Sequence, residues 1–278
     1  MKGFQQTLKT KITIAGQALH SGEMVSVSLI PQPVNTGILF CRSDLPGKPV
    51  IAAKPGNVVD TVKNMTLGTK EWRIQTIEHL MAALHGLRVD NILIEVDGSE
   101  LPLGDGSARY FAEKIKEVGL TTQKQPRKVR RITSPVWVMN GNTTHSYLIA
   151  LPGKGLRISY CFTSDHIVTG NQFAQYEITP EIFWNDLAGA RTIAFSRELE
   201  ELRKQGLALG GNIDAAVVVG EDSYLNELRY EDEIVRHKIL DILGDLYLLG
   251  PVEGEIVAIR SGHKLDLELA LKLESLLE

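Results

Sequence analysis

The stretch YEDEIVRHKILDILGDLYLLG, residues 230–250, predicts a long buried helix near the carboxyl end of the chain. Its apolar side chains share one side of a helical wheel, and they are Val235, Ile239, Ile242, Leu243 and Leu246. A strand-like segment, GEIVAIRSG, and a second helical segment, LDLELALKLESLLE, follow it. Helix, strand and helix therefore succeed one another at this end of the chain.

The same order of elements closes the first half of the chain. TIEHLMAALHGL predicts a helix capped by Thr76 and ended by Gly86, NILIEVD predicts a strand, and GDGSARYFAEKIKEVGL predicts a helix that begins near Ser107. Strand-like segments, such as MVSVSLI and LRISYCF, precede this order in the two halves. We therefore expect an α+β protein built from two similar domains.

A polar, basic segment, TTQKQPRKVRRITSP at residues 121–135, predicts a linker between the halves. The expected domains are residues 1–124 and 125–278, with an insertion in the second at about 192–220 that contains an amphipathic helix. Insertions of this kind often carry substrate contacts. The basic residues of the linker could contact a diphosphate or an anionic membrane surface, although a solvated linker is the simpler interpretation.

Composition limits the classes of protein to consider. With 43% hydrophobic and 23% charged residues, the 278-residue chain is typical of globular proteins, and its net charge of −4 does not favour nucleic-acid binding. The first residues, MKGFQQTLKT, lack the apolar core of a signal peptide, and no apolar run reaches membrane-spanning length. Cys41 and Cys161 are too far apart in sequence to suggest a disulfide framework or a Cys-x-x-Cys metal site. We expect a cytoplasmic monomer.

Three polar residues recur at intervals of four in the helix of residues 230–250: His237, Asp241 and Asp245. An imidazole and a carboxylate at positions i and i+4 lie about 5 to 6 Å apart at Cβ and can share one metal ion. The same spacing suits a surface ion pair, which is the commoner arrangement. A catalytic zinc site usually has three protein ligands, so a third would have to come from elsewhere.

Among the other histidines, His79 is the candidate for that third ligand. The apolar face of its predicted helix leaves Glu78 and His79 pointing outward, beside small alanines. Because successive helical residues point about 100° apart, Glu78 could reach a water on a metal held by His79 and act as a general base. A solvated Glu-His pair is the commoner explanation. His85, at the end of the same helix, is expected to carry a charge that favours the helix dipole.

Two loops contain further polar candidates. SGHKLD places His263 in a loop after a glycine, where a mobile imidazole could act as an acid or a cation, or could simply bond to the backbone. In ARTIAF, the Thr192 hydroxyl could donate to an oxyanion or could cap a helix.

Taken in order, the segments ALHSGE, RIQTIEHLMAALHGLRVDNILIEVDGSELPLGDGSA, ARTIAF, GLALGGNIDAAVVVG, LRYEDEIVRHKILDILGDLYLLG and SGHKLD resemble the family of UDP-3-O-acyl-N-acetylglucosamine deacetylases. The resemblance covers nearly the whole chain. It implies a zinc amidase of lipid A biosynthesis, which releases acetate and UDP-3-O-acyl-glucosamine in the committed step. It also implies two α+β domains, each a sheet with two helices, with the helix layers packed between the two sheets.

The resemblance also implies roles for individual residues. His79, His237 and Asp241 would bind one zinc ion, and Glu78 would take the proton of the attacking water. Thr192 would donate a hydrogen bond to the oxyanion, and Lys238 would contact polar parts of the substrate. His263 would act as the acid, supported by the carboxylate of Asp245.

The insertion would form an apolar passage for the acyl chain of the substrate. Its candidate residues are Ile193, Phe195, Leu199, Leu207, Ala208, Gly211, Ile213, Ala216 and Val218. By pattern alone these are ordinary core residues. The chain departs from the common family pattern at Ile193 and Asp266, and the carboxylate of Asp266 could raise the pKa of His263 or cap the last helix. Transient contact with a membrane surface is a further expectation.

Two other functions are compatible with the same motifs. A non-catalytic protein that binds sugar nucleotides or lipids would keep the passage and Lys238 but lose a metal ligand or the base, and this sequence keeps both. An amidase with another acylated substrate would share every catalytic residue, so only a panel of substrates would distinguish it.

Overall fold

The computed structural model describes residues 3–140, 145–198, 209–211 and 213–276, and its architecture is α+β, as predicted. The first half contains helices α1 (Glu78–Gly86) and α2 (Arg109–Val118) and strands β1 (Phe4–Leu8), β2 (Ile12–Gln17), β3 (Met24–Pro31), β4 (Ile38–Arg42), β5 (Val50–Ala52), β6 (Val58–Asp60), β7 (Thr66–Gly68), β8 (Arg73–Ile74) and β9 (Ile92–Val96).

The second half contains helices α3 (Glu233–Leu246) and α4 (His263–Leu276) and strands β10 (Leu120–Pro126), β11 (Arg130–Arg131), β12 (Val136–Met139), β13 (Tyr147–Leu151), β14 (Leu156–Phe162), β15 (Gln172–Glu177), β16 (Ile193–Phe195), β17 (Val217–Val219) and β18 (Val252–Ile259). Short helical turns occupy Pro55–Asn57, Pro180–Ile182, Phe183–Leu187, Ile213–Ala215 and Tyr247–Leu249. In the part of the chain that the structure describes, no helix is both long enough and apolar enough to span a membrane.

The two large sheets have the same strand order. In the first, β2, β3, β9, β4 and β5 are neighbours, and in the second the corresponding strands are β12, β13, β18, β14 and β15. The last strand of each half, β9 or β18, lies in the middle, antiparallel to one neighbour and parallel to the other. The alternation in MVSVSLI is confirmed, because Val25, Val27 and Leu29 are all buried.

Much of the segment predicted as a linker forms strands. Residues Leu120–Pro126 form β10, which pairs antiparallel with β1, and Arg130–Arg131 pair in parallel with β18. The polar sequence reflects a strand with an exposed face. Its partner β1 lies more than a hundred residues earlier in the sequence, so no local pattern predicts the pairing.

Helix α1 packs against α3, and this contact corrects three expectations about α1. All nine residues of α1 are buried, including Glu78 and His79, which therefore do not face solvent. Thr76 is not its cap: the residue has a φ of 60°, and its hydroxyl donates to Glu100. The helix begins at Glu78 instead.

The third correction concerns His85, which is buried rather than exposed. Its ring stacks on Tyr247 at 4.2 Å, and its Nδ1 donates to the carbonyl of Leu243 on α3 at 2.8 Å. Burial lowers the pKa of His85 to about 3, so the imidazole is neutral and gives no favourable charge to the dipole of α1. It joins the two helices instead.

The two helices meet at a glycine. A Cβ at Gly244 of α3 would overlap the backbone carbonyl of Glu78 and lie 3.1 Å from the amide of Ala82. Because glycine has no side chain, the two helix backbones can approach one another directly at this point. Glu78 and His79 are thereby brought beside the polar row of α3.

Candidate metal centre

Three residues predicted as metal ligands converge on one buried point. His79 comes from α1, and His237 and Asp241 come from α3. One ligand atom from each lies within 4.8 Å of the other two, and all three side chains are buried. The imidazole rings of His79 and His237 are arranged edge to face, with centroids 5.1 Å apart.

Hydrogen bonds orient two of these side chains. The Nδ1 of His237 donates to the carbonyl of Ala190 at 3.0 Å, which turns its Nε2 towards Oδ1 of Asp241 at 3.2 Å. The other carboxylate oxygen of Asp241 accepts from Nζ of Lys238 at 2.7 Å. A bond of this kind to the second ring nitrogen sets the tautomer of a metal-binding histidine.

The charges at this point suit a cation. Burial, together with His237, lowers the pKa of His79 to about 3, which keeps its imidazole neutral and able to act as a ligand. Burial alone would raise the pKa of Asp241, but His237 and Lys238 together hold it well below its usual range. Oδ1 of Asp241 is buried and accepts no hydrogen bond from any residue that the structure describes. Two nitrogen ligands and one carboxylate fit a catalytic divalent metal site.

Glu78 precedes His79 on α1 and has a pKa suited to proton transfer. Its Oε2 accepts from the backbone amide of Met65 at 3.0 Å. Burial raises the pKa of Glu78 to about 7, an effect that His263 opposes and Asp245 reinforces. A carboxylate with a pKa near neutrality can accept a proton at ordinary pH.

A second group of polar side chains lies one turn further along α3. Nδ1 of His263 lies 2.7 Å from Oδ2 of Asp245, which is buried. His263 is the first residue of α4 rather than a mobile loop residue, so the sequence expectation of mobility is wrong. Asp266 belongs to the same group, since ligand atoms of Asp245, His263 and Asp266 lie within 4.8 Å of one another.

Thr192 is positioned by the loop that carries Arg191. The guanidinium and backbone amide of Arg191 bond to the fully buried Glu233 on α3. The amide of Thr192 donates to the carbonyl of Gly106 at 2.9 Å. These contacts connect the ARTIAF segment to both halves of the chain.

The residues predicted to line an acyl passage are only partly brought together. Ile193 and Phe195 of β16 pack against the small cluster of Val217, Val219 and Ile234. Val218 is buried and Ala216 half-buried, whereas Gly211 and Ile213 are exposed. Other members of the predicted set lie outside the described residues, and they are Leu199, Leu207 and Ala208.

Sequence reasoning missed Glu100. Its buried carboxylate accepts hydrogen bonds from the backbone amides of His20 and Ser21 and from the hydroxyl of Thr76. It therefore links the ALHSGE segment to Thr76, two residues before α1. The signal was an acidic residue enclosed by the apolar neighbours of the SELPLG segment.

Comparisons with known proteins agree with the resemblance drawn from the motifs. A family model described as UDP-3-O-acyl N-acetylglycosamine deacetylase matches residues 5–275. The chain is 43% identical to the UDP-3-O-acyl-N-acetylglucosamine deacetylase of Oleidesulfovibrio alaskensis, over 94% of this chain and 86% of that protein. It is 43% identical to the enzyme of that name from Acidithiobacillus ferrooxidans, over 94% and 87%, and 39% identical to that from Bdellovibrio bacteriovorus, over 97% and 89%.

Proposed function

Since the chain belongs to the UDP-3-O-acyl N-acetylglycosamine deacetylase family, we propose that it removes the N-acetyl group of UDP-3-O-acyl-N-acetylglucosamine by hydrolysis. The products are acetate and UDP-3-O-acyl-glucosamine, and the reaction is proposed as the committed step of lipid A biosynthesis. The observation that carries the proposal is the convergence of His79, His237 and Asp241, with Glu78 next to His79 on α1.

The ion we propose is zinc, held by His79, His237 and Asp241. When bound, zinc lowers the pKa of a coordinated water to about 7 and polarises the carbonyl of an amide. The donor set of two imidazoles and a carboxylate supports this choice, as does the bond from His237 to the Ala190 carbonyl.

Glu78 is the proposed general base. Its carboxylate takes the proton from the attacking water, and the Met65 amide fixes its orientation. Burial raises the pKa of Glu78 to about 7, close to that of a zinc-coordinated water. Proton transfer between the two is therefore not strongly unfavourable in either direction.

Expulsion of the amine requires a proton donor, and His263 is the proposed acid. Asp245 accepts from Nδ1 of His263, which leaves Nε2 as the nitrogen that meets the substrate. Thr192 donates its hydroxyl to the oxyanion of the tetrahedral species. Lys238, whose ammonium is engaged by Asp241, also contacts polar parts of the substrate at the edge of the site.

The remaining proposals concern organisation. The matching strand orders support two α+β domains over residues 1–124 and 125–278, with α-helical layers between their sheets. The acyl chain of the substrate is proposed to lie along the insertion at 192–220. We also propose a cytoplasmic monomer that touches the membrane surface transiently to collect its lipid-bearing substrate.

Purified protein loaded with zinc tests the function directly. We expect stoichiometric acetate release from UDP-3-O-acyl-N-acetylglucosamine, and none from UDP-N-acetylglucosamine without the acyl chain at matched concentration. Elemental analysis should find about one zinc per chain. Faster acetate release from a different acylated amide than from the UDP sugar would overturn the substrate assignment while retaining the amidase.

A further inference from the structure

Asp266 is a buried carboxyl group to which none of the described residues donates a hydrogen bond. It lies in the first turn of α4 with 1% of its surface exposed. Neither of its oxygens, nor Oδ1 of Asp245, accepts a hydrogen bond in the part of the chain that the structure describes. Three buried carboxyl oxygens without donors in one small space would be costly, because each has lost its water.

The basic side chains that act on Asp266, Lys238 and His263, each bond to a different carboxylate. The charged and titratable groups that face it or Asp245 are His263 on α4, Lys238 and Asp241 on α3, Glu78 on α1 and Tyr160 on β14. Lys238 bonds to Asp241, and the hydroxyl of Tyr160 donates to the carbonyl of Ser261 at 2.7 Å. His263 uses its Nδ1 on Asp245.

Two carboxyl groups this close and this deeply buried do not both ionise. Burial raises the pKa of each well above its usual range. The charge of Asp245 raises the pKa of Asp266 further, and that of Asp241 raises the pKa of Asp245, which a hydrogen bond with Asp266 lowers. One proton held between them supplies the missing donor and leaves a single negative charge on the pair.

We propose that Asp266 is a positioning residue, whose protonated carboxyl donates a hydrogen bond to Oδ1 of Asp245. Asp245 is then held from both sides, with Oδ1 on Asp266 and Oδ2 on His263. The proposal rests on the proposed roles of Asp245 and His263 in the reaction. Asp266 adds a third residue to the hydrogen-bonded pair of Asp245 and His263. It orients the imidazole of His263 through Asp245 and does not contact the substrate.

Two substitutions separate hydrogen-bond donation from mere packing. Asp266→Asn keeps the shape and supplies a permanent N–H donor, so kcat should stay within about threefold of that of the parent protein. Asp266→Leu fills similar space without a donor, and kcat should fall about 10- to 100-fold, as is usual when a supporting partner is lost. Zinc content and KM should change little in both variants. An Asp266→Asn variant as slow as Asp266→Leu would overturn the proposal.

Infrared spectroscopy of the zinc-loaded protein tests the proton itself. The difference spectrum between the parent protein and Asp266→Asn should contain the C=O band of a protonated carboxyl that shifts in D2O. Asp222→Asn, which makes the same change in an exposed loop, should remove no such band. If the difference spectrum shows only ionised carboxylate, the proposal fails. A protein that shows the band but releases no acetate would refute the proposed reaction, while the assignment of a shared proton to Asp245 and Asp266 would stand.

Discussion

Helix α3 carries two polar groups, one turn apart, whose charges are arranged differently. In the first, Asp241 is kept ionised by His237 and Lys238, and its pKa is held well below the usual range. In the second, Asp245 faces Asp266, and the pKa of each carboxyl is raised. The first group contains His237 and Asp241, four residues apart on α3, and the second contains His263 and Asp266, three residues apart on α4. The first nevertheless suits a cation, and the second suits a shared proton.

The difference shows that neighbours, and not spacing, decide the chemistry of a helical row. His237, Asp241 and Asp245 recur at intervals of four, so helix geometry alone places them on the same side of α3. What separates Asp241 from Asp245 is a lysine on one side and a second carboxyl group on the other. Coulombic interactions between buried groups are strong enough to reverse the favoured protonation state.

Removing the carboxylate of the first group should have the largest effect. Asp241→Ala is expected to lose the metal and to lower kcat/KM about a thousandfold or more, since the metal stabilises the transition state by several kcal/mol. Elemental analysis and acetate release measure the two losses. Asp222→Ala, in an exposed loop, is the matched control. Full activity in Asp241→Ala would remove this residue from the ligand set.

Glu78 should separate metal binding from proton transfer. Glu78→Gln keeps the side-chain shape and removes the base, so kcat should fall about 10²- to 10⁴-fold while zinc content stays at the level of the parent protein. Single-turnover acetate release, with zinc measured on the same samples, provides the test. Loss of zinc in this variant would assign Glu78 to the metal and not to the water.

Lys238→Met should raise the pKa of Asp241, as the pKa of Asp245 is raised in the second group. Without the ammonium, the pKa of Asp241 should rise, and zinc affinity should fall about 10- to 100-fold, as for other partners that support a ligand. Competition with a chelator of known affinity measures the change. Lys54→Met, which removes an exposed lysine elsewhere, should bind zinc as the parent protein does. Unchanged affinity in Lys238→Met would show that His237 alone keeps Asp241 ionised.

His85 is a buried imidazole whose pKa is not raised by a neighbouring carboxylate. Its lowered pKa should make the free energy of unfolding depend on pH. Its folded pKa of about 3 lies below the unfolded value, so the unfolded state binds the extra proton and stability falls as pH falls below about 6.5. The parent protein should lose about 1.4 kcal/mol more per pH unit than His85→Gln from there to about pH 4. Urea unfolding of both, in the same chelator-containing buffer, is the measurement. Parallel slopes would mean that His85 is protonated in the fold.

Local patterns predicted much of the fold and part of the site. The row on α3 and the buried face of MVSVSLI could be predicted because both depend only on helical or strand periodicity. The search among the other histidines suggested His79 as a partner of that row, the family resemblance implied the same role, and the structure brings their ligand atoms together. The catalytic roles of these residues stay predictions.

Other features depend on contacts between distant parts of the chain. The pairing of β10 with β1 and the neutral state of His85 require partners more than a hundred residues away. Asp266 was expected to cap α4 or to act on His263, but its burial against Asp245 depends on how α4 packs on α3. Helix periodicity contains no information about such packing.

The backbone contact at Gly244 bears on how this protein can vary over evolutionary time. Because main-chain atoms of α1 meet α3 there, the separation of His79 from His237 and Asp241 is fixed without reference to the size of the surrounding side chains. Core residues elsewhere can exchange for others of similar volume and leave the ligand geometry unaltered. Position 244 has no such freedom, since a single methyl group would move the two halves of the site apart.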